Sequence, residues 1–348
     1  MLEKRVCLIG QRCLDNLYLN CINQGNLFVM NKIQLLRTLL GSCVMCCFIV
    51  FLVACSESAT SPESSGSWGE KHFLWKVSDE NSSVWLLGSI HVADASFYPL
   101  PTVIDSAFAA SSELAVEINT SDEYVMSEVQ RQMRLRGMLS EGTLRDILPA
   151  SLWNSLDSLC SVWYLPVSTF ESMRPWLAAS TISSYALMRA GLKTEYGIDY
   201  VLMDRATKSG KPIVSLESAK EQIDALAGTT DSDLEGICML KSTMRELPGI
   251  KSELVKLVRA WKSGDEVLLN QLLDEEHVED YTPSEIQLME DFEQRLLVNR
   301  NAKMADSVAT FLRDDRNVFV VVGVAHLAFE QYSVIENLKN RGFIVERF

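Results

Sequence analysis

With 348 residues, 47% of them apolar and 22% charged, the chain has the material for a large buried core and is not a disordered polymer. Its formal net charge is −14, and setting aside the first 55 positions leaves 27 basic against 44 acidic residues, which argues against nucleic acid as a partner. Seven of the nine cysteines lie at or before Cys55, so the two that remain, Cys160 and Cys238, exclude a disulfide-dense scaffold. Spacing alone leaves open whether those two pair or stay as buried thiols.

Residues 1–29 include Arg12, Asp15 and Asn16, a polar leader that has no place upstream of a charged export signal. Met30 is therefore the expected start, and residues 1–29 are expected to be a non-native leader. Residues 30–55 contain Lys32 and Arg37, then an apolar run of 16 residues from Leu39 to Ala54, and end in Leu52-Val53-Ala54-Cys55. That run is shorter than the ~20 residues a spanning helix needs. The layout is that of a secretory signal, and its last four residues resemble the lipobox of bacterial lipoproteins, which makes Cys55 the expected lipidation site. An uncleaved anchor is the alternative, and either one holds the chain at a membrane, facing away from the cytoplasm. Ser56 after Cys55, in place of aspartate, favours the outer membrane of a bacterial cell envelope. Residues 56–70, rich in serine, read as a flexible tether, with a single domain over 71–348 that begins near Trp68.

The first predicted unit of that domain is a hairpin, Phe73–Val77 and Val84–Leu87 around a polar turn. Pro99-Leu100-Pro101 opens a helix with Val103, Ile104, Ala107 and Phe108 on its apolar face, and Glu113–Ile118 returns as a strand. Strand, helix and strand in close succession build a parallel sheet. From Ser121 to Leu192 the pattern is helical, with no glycine-rich phosphate loop. A helix then runs from Tyr196-Gly197-Ile198-Asp199 to about Ser209, a turn follows at Gly210-Lys211-Pro212, and Ile213–Glu217 reads as a strand. A second helical block covers Ala219–Leu312 before the strand Val318–Val322, a helix near Ile335–Asn340 and a closing strand Phe343–Glu346. The expected fold is α/β: one mixed sheet assembled from N-terminal, middle and C-terminal strands, with large helical insertions forming a cap.

Chemistry is most concentrated in two matching segments, Val84-Trp85-Leu86-Leu87-Gly88-Ser89-Ile90-His91 and Val318-Phe319-Val320-Val321-Val322-Gly323-Val324-Ala325-His326. Each is a buried-strand run ending in Gly-x-x-His, in a chain with only four histidines. Parallel strands deliver their C-terminal residues to one edge of a sheet, where the ligand sites of open α/β folds gather. Glu117 and Glu217 terminate two further apolar runs. Two imidazoles with one or two carboxylates make a normal set of ligands for a catalytic divalent ion, and another carboxylate can act as base. Both glutamates also have a plain structural reading, capping helices or pairing with Arg300 or Arg205. His72 and His277 are expected to face solvent, the latter within an acidic run. No Gly-x-Ser-x-Gly elbow is present for a serine triad.

Taken together, Leu74-Trp75-Lys76-Val77, Gly88-Ser89-Ile90-His91, Phe97-Tyr98-Pro99-Leu100-Pro101, Val116-Glu117, Pro175-Trp176, Gly197-Ile198-Asp199, Leu216-Glu217-Ser218, Arg300-Asn301 with Met304-Ala305, and Gly323-Val324-Ala325-His326-Leu327 resemble the TraB/GumN family, related to the Tiki proteins. The resemblance spans about residues 72–348 and implies an α/β fold with a metal-dependent site that supports proteolysis. It implies manganese or cobalt as the ion, with zinc a further option, and a peptide or protein as substrate. By position, His91 and His326 become metal ligands and Glu117 a ligand or base. Asp199, Glu217, Arg300, Gly88 and Gly323 become residues behind the ligands or against substrate. The chain departs from the family after His326, where Phe329 and Tyr332 stand in place of glycines; these rings are expected to narrow the pocket or to pack under the last helix. Two other readings fit the same residues: a metal-independent esterase-like hydrolase, and a lipoprotein that binds a peptide signal without turnover.

Overall fold

The computed structural model describes residues 68–228, 232–274, 281–328 and 331–348. Cys55 and the segments before it, most of the expected tether, His277 and Phe329 lie outside the described residues. Packing begins at Trp68, whose ring meets Trp261 edge-on, and at Gly69, whose N–H donates to the Lys262 carbonyl at 2.9 Å.

The hairpin forms as the alternation predicts, with β1 at Leu74–Ser78 and β2 at Ser83–Ser89, antiparallel with Leu74 opposite Leu87. Its turn is held by Asp79, whose carboxylate accepts from the Ser82 N–H at 2.8 Å and the Asn81 N–H at 3.2 Å. Helix α1, Thr102–Ala110, buries Ile104, Ala107 and Phe108, and the Phe108 ring stands edge-on to Phe319. Strand β3 is Glu113–Val116, β4 is Ile213–Ser215, β5 is Val318–Gly323 and β6 is Ile344–Arg347.

The six strands form one mixed sheet in the order β4-β3-β5-β2-β1-β6. Strand β5 lies parallel to β2 on one side, with Gly323 opposite Ser89, and parallel to β3 on the other, with Val321 opposite Val116. All six of its residues are buried, because helices cover both faces of a parallel centre and leave no reason for polar alternation. The antiparallel members, β1 and β6, sit at one edge.

The first insertion contains α2, Glu123–Gly137, the short α3, Leu144–Ile147, α4, Ala150–Trp163, and α5, Pro175–Arg189. Helix α6, Ile198–Ser209, leads into β4. The second insertion holds α7, Ala219–Ala227, α8, Leu234–Glu246, α9, Ile250–Ser263, α10, Glu266–Asp274, and α11, Pro283–Glu293. A π-helical turn, Gln294–Val298, joins α11 to α12, Asn299–Arg313, and the chain closes with α13, Val324–Ala328, and α14, Val334–Asn340. The insertions carry a second apolar cluster of their own, including Trp153, Leu156, Phe170, Trp176 and Phe292, distinct from the cluster on the sheet. Helices α9 and α10 of the second insertion pack on the sheet instead, with Leu257, Trp261, Leu269 and Leu272 in its cluster, and the other inserted helices form a cap with a core of its own.

Among the described residues no helix is long and apolar enough to cross a membrane. Cys160 and Cys238 are both buried free thiols. His72 is not solvent-facing: it is 8% exposed, under Trp68. A hydrophobic run beginning one residue later draws it inside.

Candidate functional site

The parallel strands β2, β3, β4 and β5 all end on the same edge of the sheet, and each hands one residue to a common point just beyond it. Glu117 follows β3, Glu217 follows β4, His91 follows β2, and His326 lies on α13 directly after β5. Asp199 comes from the first turn of α6, and Arg300 and Asn301 from the first turn of α12. His91, Glu117, Asp199, Glu217, Arg300 and His326 are all under 9% exposed, and His326 is fully buried at 0%.

Glu117 is the centre. Its Oε1 lies 3.7 Å from His326 Nε2 and 3.9 Å from His91 Nε2, and accepts the Gly323 N–H at 2.7 Å. Its Oε2 accepts from Arg300 Nη2 at 2.8 Å. The same guanidinium donates through Nε to Glu217 Oε2 at 2.9 Å and through Nη1 to the Leu296 carbonyl, inside the π-helical turn, at 3.0 Å. Such turns widen a helix locally and recur at functional sites. The two glutamates are also joined by backbone, Glu217 N–H to Glu117 carbonyl, at 3.0 Å. Behind the imidazoles, His91 Nδ1 is 2.9 Å from Asp199 Oδ1, and His326 Nδ1 is 2.6 Å from Asn301 Oδ1.

Burial governs the electrostatics. It drives the His326 pKa down to about 3, against an opposing pull from Glu117, so this ring is neutral near pH 7. Burial pushes the Glu117 carboxyl up, but His326, Arg300, His91 and the Gly323 N–H outweigh it and hold the group below the ordinary carboxylate range. Near neutral pH, where His326 is uncharged, Arg300 and the Gly323 N–H are the constant contributors. Glu217 goes the other way, raised by burial and by neighbouring Glu117 against the pull of Arg300.

Among the described residues no group of three or more His, Cys, Asp or Glu side chains is closed tightly enough to hold an ion as it stands. The donors nevertheless fit one. Ligands on a tetrahedral ion with ~2.1 Å bonds stand about 3.4 Å apart, a few tenths of an ångström less than the two separations from Glu117 Oε1 to the imidazoles. Each imidazole is tied through Nδ1, which is how metal-binding histidines are held, and His326 Nε2 is buried without a hydrogen-bond partner.

The sequence-predicted residues His91, His326, Glu117, Asp199, Glu217 and Arg300 therefore meet at one place. Gly323 contributes its N–H to it. Gly88 acts from beneath: a Cβ there would stand 2.9 Å from Val324 Cγ2, so its bare backbone lets α13 lie against β2. Arg300 satisfies both glutamates at once, whereas Arg205 pairs with Asp105 at 2.7 Å and takes no part. Two residues went unassigned by sequence reasoning, although both stand in quoted motifs. Asn301 supports His326, and Gly197 lets α6 dock, since a Cβ on it would stand 2.2 Å from the His91 carbonyl oxygen. Tyr332 is 46% exposed, so its ring is not buried under the last helix; its φ is +64°, and its carbonyl accepts Asn301 Nδ2 at 2.9 Å.

The profile of the TraB/PrgY/gumN family matches residues 73–347. The protein YbaP of Escherichia coli (strain K12) is 28% identical over 179 residues, which is 50% of this chain and 63% of YbaP, and YbaP of Shigella flexneri matches over the same shares. An uncharacterized protein of Treponema pallidum (strain Nichols) is 23% identical over 252 residues, covering 69% of this chain and 75% of its own length. No solved structure matches. A family profile that spans nearly the whole described body identifies the chain as a member of the TraB/PrgY/gumN family.

Proposed function

We propose that the chain is a divalent-metal-dependent hydrolase that cleaves peptide bonds, tethered to the cell envelope through Cys55. The observation that carries the reading is the convergence of His326 Nε2 and His91 Nε2 on one oxygen of Glu117, at 3.7 and 3.9 Å, with all three side chains buried. His91, His326 and Glu117 would hold the ion, with manganese or cobalt expected from the family resemblance and zinc a further option. When bound, the ion supplies positive charge that polarises a scissile carbonyl and acidifies water.

The remaining work belongs to the chain itself. Asp199 and Asn301 fix the orientation of the two rings through their Nδ1 atoms. Arg300 occupies Glu117 Oε2 and keeps this carboxylate ionised and turned, so that Oε1 faces the imidazoles. Glu217 braces Arg300 from the opposite side. Burial of the whole group keeps bulk water away and strengthens each of these interactions.

One observation favours a second reading, a metal-independent hydrolase. Arg300 already gives Glu117 a cationic partner, so the carboxylate does not require an ion for charge balance. The test uses full-length protein incubated with a peptide mixture and analysed by mass spectrometry, with manganese, cobalt or zinc added singly, and with a chelator. Defined fragments that disappear with the chelator and with His326→Ala are expected. Chelator-resistant cleavage that His91→Ala abolishes would select the second reading, and intact peptides with every ion would sink both. Incorporation of labelled fatty acid, lost in Cys55→Ser, checks the tether.

A further inference from the structure

We propose that Asn301 is the positioning residue that sets the tautomer of His326, holding the proton on Nδ1 so that the Nε2 lone pair faces Glu117. The inference rests on the reading that His326 acts through Nε2. It concerns how that nitrogen is kept available.

A neutral imidazole has one N–H and one lone pair, and its neighbours decide which nitrogen carries which. For His326 the choice has a clear consequence. With the proton on Nε2, the ring would donate to Glu117 Oε1, only 3.7 Å away, and nitrogen and carboxylate would satisfy each other. With the proton on Nδ1, two electron-rich atoms face each other and both are left open to a proton or a cation between them. The second arrangement forgoes a charge-assisted hydrogen bond, so something must enforce it.

The enforcing chain can be traced through atoms with only one possible role. The Tyr332 carbonyl can only accept, and Asn301 Nδ2 lies 2.9 Å from it, so the NH2 end of the amide faces Tyr332. The amide oxygen then faces His326 Nδ1 at 2.6 Å, and an amide oxygen can only accept. Nδ1 must therefore carry the hydrogen. Nε2 is left with its lone pair, which agrees with its lack of a hydrogen-bond partner in a ring that is 0% exposed. Asn301 is itself 1% exposed, so water does not compete for either end of the amide. The carbonyl at the head of the chain is aimed by the left-handed backbone of Tyr332 and is steadied by a second donor, Asn337 Nδ2, at 3.2 Å. A neutral amide also suits this position: it orients the ring without placing a second negative charge beside buried Glu117.

The test reads tautomers in chelator-treated full-length protein by nitrogen NMR of the imidazoles, which number only four and are assigned by single His→Gln variants. His326 is expected in the Nδ1–H form near neutral pH. In Asn301→Leu the Nδ1–H form should no longer dominate, while Asn301→Asp, which keeps an acceptor at the same place, should retain it. An Nε2–H ring in the wild type, or an unchanged Nδ1–H ring in Asn301→Leu, would overturn the proposal; if Asn301→Leu does not fold, the wild-type spectrum decides alone. The metal-loaded wild type is assayed for peptide cleavage in parallel. Cleavage with an Nε2–H ring removes only this inference, and an Nδ1–H ring without cleavage removes only the hydrolase reading.

Discussion

Arg300 is the residue on which two buried carboxylates depend. Replacing one partner of a buried ion pair is costly because the other is left charged and unsolvated, typically by about 3–5 kcal/mol. Arg300→Met strands Glu117 and Glu217 together and is expected to lower stability by about that much in urea unfolding; Arg300→Met with Glu217→Leu should recover part of the loss. A loss in the single variant below ~1 kcal/mol would show that the carboxylates are satisfied in another way. Tyr332 carries the opposite expectation. A side chain in the left-handed region costs roughly 1–2 kcal/mol, and glycine recovers most of it at some expense in unfolded-chain entropy. Tyr332→Gly should therefore leave the midpoint of urea unfolding unchanged or raise it by the equivalent of up to ~1 kcal/mol, although a half-exposed tyrosine is removed. A clear loss would mean that the ring, and not the carbonyl, matters there. Sequence alone could rank His91, His326 and Glu117 by motif. It could not rank Asn301, because its partner is 25 positions away and the contact exists only once α13 has folded against α12.

At the scale of elements, bare glycines set how closely helices approach the strand ends. Gly197 is the sharper case, since a Cβ there meets the His91 carbonyl oxygen at 2.2 Å and the carbonyl carbon at 2.8 Å, both backbone atoms with little freedom to yield. Gly197→Ala is expected to push α6 outward, take Asp199 off His91 and lower the affinity of the proposed metal site by about 10–100-fold, as loss of a histidine's supporting hydrogen bond does. Isothermal titration with manganese reads the affinity, and unchanged binding would contradict the docking argument. The elements themselves were largely legible. Strands β1 to β5 follow runs that alternate or stay apolar, and α1 buries the residues its spacing predicts. Their lateral order was not legible, because every apolar strand offers the same hydrogen-bonding edge. The choice of β5 as the neighbour of both β2 and β3 is made by packing across the whole sheet. The burial of His72 escaped for a similar reason: one polar residue before a strand carries no sign that Trp68 will cover it.

For the molecule as a whole, acid is the condition to which its buried histidines are most sensitive. Burial lowers the pKa of both His72 and His326 from the ordinary 6.5, the latter to about 3. Below pH 6.5 the unfolded chain binds protons that the folded chain refuses, so stability is complete above that pH and falls as pH drops, by up to about 1.4 kcal/mol per pH unit for each histidine. Glu217, raised by burial, opposes the trend at the acid end, so slopes are compared between variants. Urea midpoints of metal-free protein should fall as the pH drops below about 6.5, and His72→Gln should flatten the slope; equal slopes would remove His72 from the account. The position of β5 at the centre of the sheet has a consequence in time. Gly323 and Glu117, 206 positions apart, share a hydrogen bond, and the slot between β2 and β3 is filled by one of the last strands to be synthesised. Until that strand arrives, β2 and β3 each hold an open edge able to recruit the wrong partner. A growing chain can finish its helical cap while His326 and the Gly323 N–H are still missing, so buried Glu117 waits for two of its partners until β5 and α13 arrive.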